Sequence, residues 1–308
     1  MRACTLTLLF ALTIAGCADA PPRSRVPMGT APGYLTGLTA DAEIPNAQAL
    51  VDRIYTPALD DGYVPQGLTT AGDDLLVSSY LPTPDLKANT GPCRVFRIAM
   101  ASGRTTGSFA VPPGTCTHSG GLAYVGKGRL LLADTHALFL IDLDRAFAAG
   151  NSAGAMKTVN IGGALRGSYA SFDGTDAWIG TWTRDQPQKA RMYRLPLILF
   201  DRFDGQTVHE DVATASIPVP LSAQGAAFSQ EAKQVWISSS NSRFGRLYRL
   251  DRATGAVLSE YAMVPGLEDL SVDGKGRLWG VSESGTQKYQ HWATRFPFVF
   301  RIDTAALQ

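Results

Sequence analysis

Apolar and polar positions recur along this chain in paired segments. An entry segment opens on a small or polar residue, a turn carrying Gly or Asp follows, and a second apolar segment ends in small polar residues. The first copy is Pro65-Gln66-Gly67-Leu68 with Leu75-Leu76-Val77-Ser78-Ser79. The second is Gly120-Gly121-Leu122-Ala123-Tyr124 with Leu130-Leu131-Leu132-Ala133-Asp134. Three more follow: Ser168–Phe172 with Trp178–Thr181, Gly225–Phe228 with Val235–Ser239, and Asp269–Val272 with Leu278–Ser282. Successive anchors at Gly67, Gly121, Ser168, Gly225 and Asp269 stand 54, 47, 57 and 44 residues apart, close to the ~40–50-residue period of propeller blades.

Each copy continues into a third alternating segment: Val95–Ile98, Leu138–Ile141, Met192–Leu195, Leu247–Leu250 and Phe298–Ile302. The copies that contain Arg read as outer strands with one face on the neighbouring blade and one in water. Turns such as Ala101–Arg104 and Ala253–Gly255 lead to fourth strands around Ser108–Val111 and Val257–Tyr261. Four antiparallel strands per repeat predict an all-β fold, a β-propeller of five four-stranded blades. Too few residues follow Ile302 for a fourth strand in the last blade. Val51–Tyr55 alternates suitably and closes the ring, so that no edge stays open. A sixth blade would have to begin at Tyr34–Leu38.

Composition agrees with a compact fold. Hydrophobic residues make up 45% and charged residues 18%, outside the range of disordered chains. The formal charge of +1 leaves no electrostatic footprint for nucleic acid. The N-terminus reads differently. Arg2 precedes an apolar run from Leu6 to Ile14 that closes on Ala15-Gly16-Cys17, and this resembles a bacterial lipobox. The run is shorter than the ~20 residues a spanning helix needs. The predicted organisation is a signal peptide over 1–16, a flexible tether over 17–32 and the propeller over 33–308. Cys17 takes the acyl chains, which tie the domain to a membrane of the cell envelope. Ala18 carries no retention-type Asp, which favours the outer membrane. Export leaves Cys93 and Cys116 in the folded domain, where an oxidising compartment favours a disulfide between them.

The repeats resemble the SMP-30/gluconolactonase and strictosidine-synthase-like propellers, and exported actinobacterial propellers with similar Pro-Gln-Gly-Leu and Gly-Gly-Leu segments. The resemblance covers most of Tyr63 to Asp303. It implies a divalent cation at the channel mouth, calcium in the first instance, held by carboxylate and amide oxygens of different blades. The residue types that match are Glu268, Asp134, Asn241 and Glu283, although Gln66 stands where that pattern has a Glu.

Strand order predicts which residues share a mouth. The inner strand of each blade starts on the face to which the second strand returns, so Gln66, His118, Ser168, Gln224 and Glu268 meet Tyr80, Asp134, His136, Trp182, Asn241 and Glu283 there. Tyr289, His291, Trp292 and Phe296 lie in the long loop of the last blade and, with Tyr80, Trp182 and Phe244, read as rings for stacking a sugar or an apolar ligand. The candidate ligand-binding set is Gln66, Tyr80, His118, His136, Trp182, Gln224 and Trp292. No GxSxG, HExxH, P-loop or dinucleotide motif is present. The leading expectation is an envelope lipoprotein whose propeller binds a small molecule, glycan or protein partner. The alternatives are an SMP-30-like metal-dependent hydrolase, and a structural scaffold whose mouth is plugged by apolar side chains.

Overall fold

A computed structural model describes residues 26–82, 90–228, 233–241 and 243–308. The lipobox, Cys17 and the first part of the tether lie outside these residues. The chain forms five antiparallel sheets in a ring, a five-bladed β-propeller. Its first strand is β1 (Leu50–Tyr55). Blade one is β2 (Val64–Ala71), β3 (Asp74–Tyr80), β4 (Cys93–Ala99) and β5 (Thr105–Ala110). Blade two is β6 (Gly121–Tyr124), β7 (Arg129–Asp134), β8 (Ala137–Asp142) and β9 (Met156–Ile161).

Blade three holds β10 (Tyr169–Phe172), β11 (Ala177–Gly180) and β12 (Arg191–Leu195). The chain then crosses back to blade two, where β13 (Thr207–Val208) pairs parallel with β9, before β14 (Ala215–Pro218) completes blade three. Blade four is β15 (Ala223–Phe228), β16 (Gln234–Ser239), β17 (Gly245–Asp251) and β18 (Val257–Met263). Blade five is β19 (Leu267–Val272), β20 (Leu278–Ser282) and β21 (Phe298–Ile302), with β1 as its fourth strand. The pairing runs from Leu50 opposite Ile302 to Tyr55 opposite Phe298. The outer edge of β1 is met at Ile54 by Met28, from the end of the stretch read as tether.

Two short helices were not legible in the strand pattern, α1 (Leu143–Ala149) and α2 (Leu199–Arg202). Asp142 caps α1, accepting from the amide of Arg145. No helix among the described residues is long and apolar enough to cross a membrane.

The core is divided among the blades. Each of five apolar clusters fills one interface between neighbours, because strands facing two blades must cover both faces. Four interfaces hold twelve to sixteen buried apolar residues each. The interface between blades five and one holds eight, from Ile54, Trp279, Val281 and Val299 to Leu68, Leu75, Val77 and Ile98. Less apolar packing there leaves room for polar side chains, which is where the site lies.

Candidate ligand site at the channel mouth

Inner strands approach most closely at the anchors of the sequence repeat. A Cβ added at Gly121 would lie 2.1 Å from the amide nitrogen of Ala170, and one at Gly225 would lie 2.5 Å from the Cα of Asp269. Only glycine lets neighbouring backbones meet so closely. The fifth blade places Asp269 at this level instead, fully buried. One carboxylate oxygen accepts from the amides of Leu68 at 3.0 Å and Leu122 at 2.9 Å, the other from Leu270 at 2.9 Å, and the Ala226 amide adds a further bond. Burial pushes the Asp269 pKa well up, and the four amides pull against it. One side chain thereby ties the inner strands of blades one, two, four and five.

On the entry side of that belt, the strand pairing is interrupted by register shifts. They fall between Pro65 and Leu68, between Ala223 and Gly225, and between Leu267 and Leu270. A bulge re-aims side chains that strict alternation would send to opposite faces. In β19 it sends both Glu268 and Asp269 inward. Glu268 and Glu283 are hydrogen-bonded to each other in the mouth, and the Gln66 amide donates to Glu283 at 3.0 Å and to its neighbour's carbonyl at Pro65. Burial raises the pKa of Glu268 well above the ordinary carboxylate range, and the neighbouring Glu283 charge adds to it. Burial likewise lifts Glu283 to about 8, against the pull of Gln66, of Glu268 and of the Lys288 ammonium. Two buried carboxyls in contact cannot both ionise, so the pair keeps at least one proton near neutrality.

Aromatic hydroxyls surround the pair. Tyr80 is fully buried, and burial and the Glu283 charge raise its pKa; Tyr289 is raised for the same two reasons. His118 stacks on the Tyr80 ring at 5.1 Å between centroids, and Trp292 packs on Tyr289 at 4.4 Å. The Glu268 Oε1 atom meets no donor. The Tyr80 and Tyr289 hydroxyls meet each other, whereas those of Ser79, Ser119 and Thr286, all at the entry ends of blades one, two and five, are buried without a partner. Such groups are rare in proteins unless water or a ligand completes them.

The remaining predicted residues go elsewhere. Asp134 is buried, but its oxygens accept from the amides of Thr117, His118 and Ser119 at 3.2, 2.7 and 2.9 Å and from the Thr117 hydroxyl. It folds the loop that presents His118. Asn241 is exposed and accepts from the Arg243 amide at 3.1 Å. The quartet of Glu268, Asp134, Asn241 and Glu283 therefore does not assemble, and only the two glutamates come together. Among the described residues the one group of three with metal-ligating atoms within 4.8 Å is Cys93, Cys116 and Asp134. Its sulfurs are spent in a disulfide with a Cα separation of 5.8 Å, so these residues do not fit a cation either.

The disulfide joins the first residue of β4 to the loop before β6, on the entry rim. Gln224 is half-buried at its bulge, and His136 and Trp182 are exposed, Trp182 by 39%. Trp292 is half-buried beside Gly266 and Glu283. Two rings expected at the surface are not there. Tyr80 is internal, and Phe296 packs edge-on against Phe298 and Phe300 in the core. Nor is the mouth plugged by apolar side chains, as a scaffold would have it; its filling is polar. The residues that sequence reasoning missed are Tyr289 as a neighbour of the pair, Lys288, Ser240, whose hydroxyl bonds Glu268, and Asp269. An acid where other copies have Gly67, Gly121 and Gly225 was the available signal for Asp269.

No protein-family model matches this chain, and no curated protein matches it. Among solved structures it is similar to the glutaminyl cyclase of Myxococcus xanthus, at 12% identity over 82% of this chain and 94% of that one, with a TM-score of 0.52. A luciferin-regenerating enzyme is similar at 13% identity over 80% of this chain and 78% of that one, with a TM-score of 0.41. At such identities the likeness concerns the fold alone. The chain is a five-bladed β-propeller with a buried, proton-holding acid pair at one mouth of its channel.

Proposed function

We propose that this chain is a cell-envelope lipoprotein whose propeller binds a small polar ligand at the entry mouth. The observation that carries the ligand site is the Glu268–Glu283 pair, buried in mutual contact, keeping at least one proton, at the end of the channel where the hydroxyls of Ser79, Ser119 and Thr286 are buried without partners. A fold keeps such an arrangement only at a cost in stability, and binding sites are where that cost is offset. The pair supplies a carboxyl proton to donate and carboxyl oxygens to accept, while Tyr80, Tyr289 and Trp292 supply apolar walls. Envelope location rests on the lipobox at Ala15-Gly16-Cys17 and the disulfide between Cys93 and Cys116. The acyl chains on Cys17 give the membrane contact, and Ala18 favours the outer membrane.

A second reading shares the same residues. A carboxyl lifted to about 8 is poised for general acid–base work near neutral pH, so the mouth could also turn its ligand over. The test is a melting scan of the full chain against a panel of polar metabolites, lactones, glutaminyl compounds and divalent cations, repeated with Glu268→Gln. The expected result is a stabilising ligand whose effect is lost in the variant. A panel with no Glu268-dependent hit overturns the binding site, and turnover of a hit selects the enzyme. If Cys17→Ala leaves the protein acylated and membrane-bound, the lipoprotein assignment fails.

A further inference from the structure

The inner strands run from the entry mouth to the opposite face of the ring, where a cavity of about 670 Å³ opens between them. It is lined by the exit ends of β2, β6, β10, β15 and β19 and by the turns after β2, β6, β10 and β19. Gln66, Glu268 and Glu283 are not among its walls. Its volume is that of a small-molecule pocket.

The acids around it are closed off. Asp173 accepts from the indole of Trp178 at 2.9 Å and pairs with Arg252 at 2.7 Å, while Arg194 lies between Asp173 and Asp176, at 3.3 and 3.0 Å. Asp273 pairs with Arg277 at 2.6 Å and accepts from the indole of Trp279 at 3.1 Å. Burial opposes the charge of Asp173 and Asp273, yet their hydrogen bonds hold both below the ordinary carboxylate range, so both are ionised at neutral pH. Three carboxylates thus meet three guanidinium groups and cancel. The side chains of Asp173 and Asp273 are 0% and 3% exposed, so almost no carboxylate surface reaches the cavity.

One charge on the wall has no counterpart. The Lys275 ammonium, exposed in the turn after β19, meets no partner among the described residues. Two more charges stand one residue beyond the lining, Asp73 after Gly72 and Lys127 after Gly126; both are exposed, and they offset each other. The cavity is left with one positive charge, and a concave wall strengthens the field of such a charge over that of an open surface. The rest of the lining adds donors and rings. Thr69 accepts from the amide of Tyr124 at 2.9 Å and keeps its own hydrogen to donate, and nothing among the described residues bonds to the Ser171 hydroxyl. Phe172 and Phe228 supply aromatic faces, with the guanidinium of Arg252 at 4.9 Å over the Phe228 ring.

We propose that the exit-face cavity is a second binding site, for a small organic monoanion: a carboxylate carried on a flat aromatic body. Lys275 takes the charge and the rings of Phe172 and Phe228 take the body, with the Thr69 and Ser171 hydroxyls donating to its polar atoms. One unmatched ammonium fits one negative charge better than the two of a phosphate ester. This site stands apart from the entry-mouth reading and does not depend on it.

The experiment is a titration of the full chain, read by ligand-observed NMR, with naphthoate and with the alcohol, amine and phosphate built on the same ring. Naphthoate is expected to bind, the alcohol about fivefold more weakly, and the amine more weakly still. Lys275→Gln is expected to remove the advantage of naphthoate over the alcohol, and Lys275→Glu to turn the preference toward the amine. Lys275 is exposed on a turn, so both variants should keep the wild-type melting temperature. Glu268→Gln, at the other mouth, is expected to leave naphthoate bound. The proposal is overturned if naphthoate does not bind, if the alcohol or the phosphate binds as tightly, or if the preference for naphthoate survives both Lys275 variants. Loss of naphthoate binding in Glu268→Gln also overturns it, by placing the anion at the entry mouth.

Discussion

The two mouths of this channel are built on opposite terms. At the entry mouth, charge-bearing groups are buried with too few partners: Glu268 and Glu283 face one another and hydroxyls around them lack partners. At the exit mouth, Asp173 and Asp273 are paired with arginines and indoles, and the space between the blades stays open. Blades five and one share the smallest of the five apolar clusters, and polar side chains fill their entry end. Fully satisfied acids stabilise turns; incompletely satisfied ones are what ligands complete.

The largest effect should come from the belt between the mouths. Asp269→Ala leaves four inner-strand amides without their shared acceptor, and each buried orphan costs about 1–3 kcal/mol. Chemical denaturation should show a loss of more than about 3 kcal/mol, or no folded protein. A loss under about 1 kcal/mol would mean the belt does not hold the ring.

Next comes the cross-link on the entry rim. Reducing Cys93–Cys116, 23 residues apart, should cost about 3 kcal/mol in the chain-entropy model. It should also loosen the stack of His118 on Tyr80. If reduction leaves the denaturation midpoint unchanged, the staple contributes nothing.

A smaller effect separates the mouths by pH. The folded-state pKa of Glu283 is raised from 4.5 to about 8, so the folded chain keeps a proton that the unfolded chain releases. The stability associated with that proton is full below about 4.5 and is lost as pH rises toward 8. Wild type should therefore lose melting temperature over this window more steeply than Glu283→Gln. The exit-side acids have lowered values and act with the reverse sign, keeping their contribution above the ordinary carboxylate range and losing it in acid. Parallel profiles for wild type and Glu283→Gln would remove the proton from the entry mouth.

Much of the fold was legible because it repeats. Five copies of a two-strand pattern, an orphan third strand at Phe298–Ile302 and a spare alternating segment at Val51–Tyr55 were enough for ring, blade number and closure. The face to which Gln66, Glu268 and Glu283 belong followed from strand order. What strand order could not show was the bulge in β19. A period of two sends Glu268 and Asp269 to opposite faces, and only the extra residue turns both inward. Nor could it separate Asp134 from Glu283. Both end a second strand, but the loop over 117–119 offers its amides to Asp134 and takes it out of the mouth. Cavities left by the exit-side hairpins have no signature along the chain at all.

That the Glu268–Glu283 pair keeps a proton is the central claim, and infrared spectroscopy of the carboxyl C=O stretch reads it directly at neutral pH. Wild type should show protonated-carboxyl intensity that falls in the Glu268→Gln, Glu283→Gln double variant, which keeps the buried Asp269, while the fold is retained. A wild-type spectrum identical to that of the double variant in this region would mean that both glutamates are ionised, and the entry mouth would not be the site described.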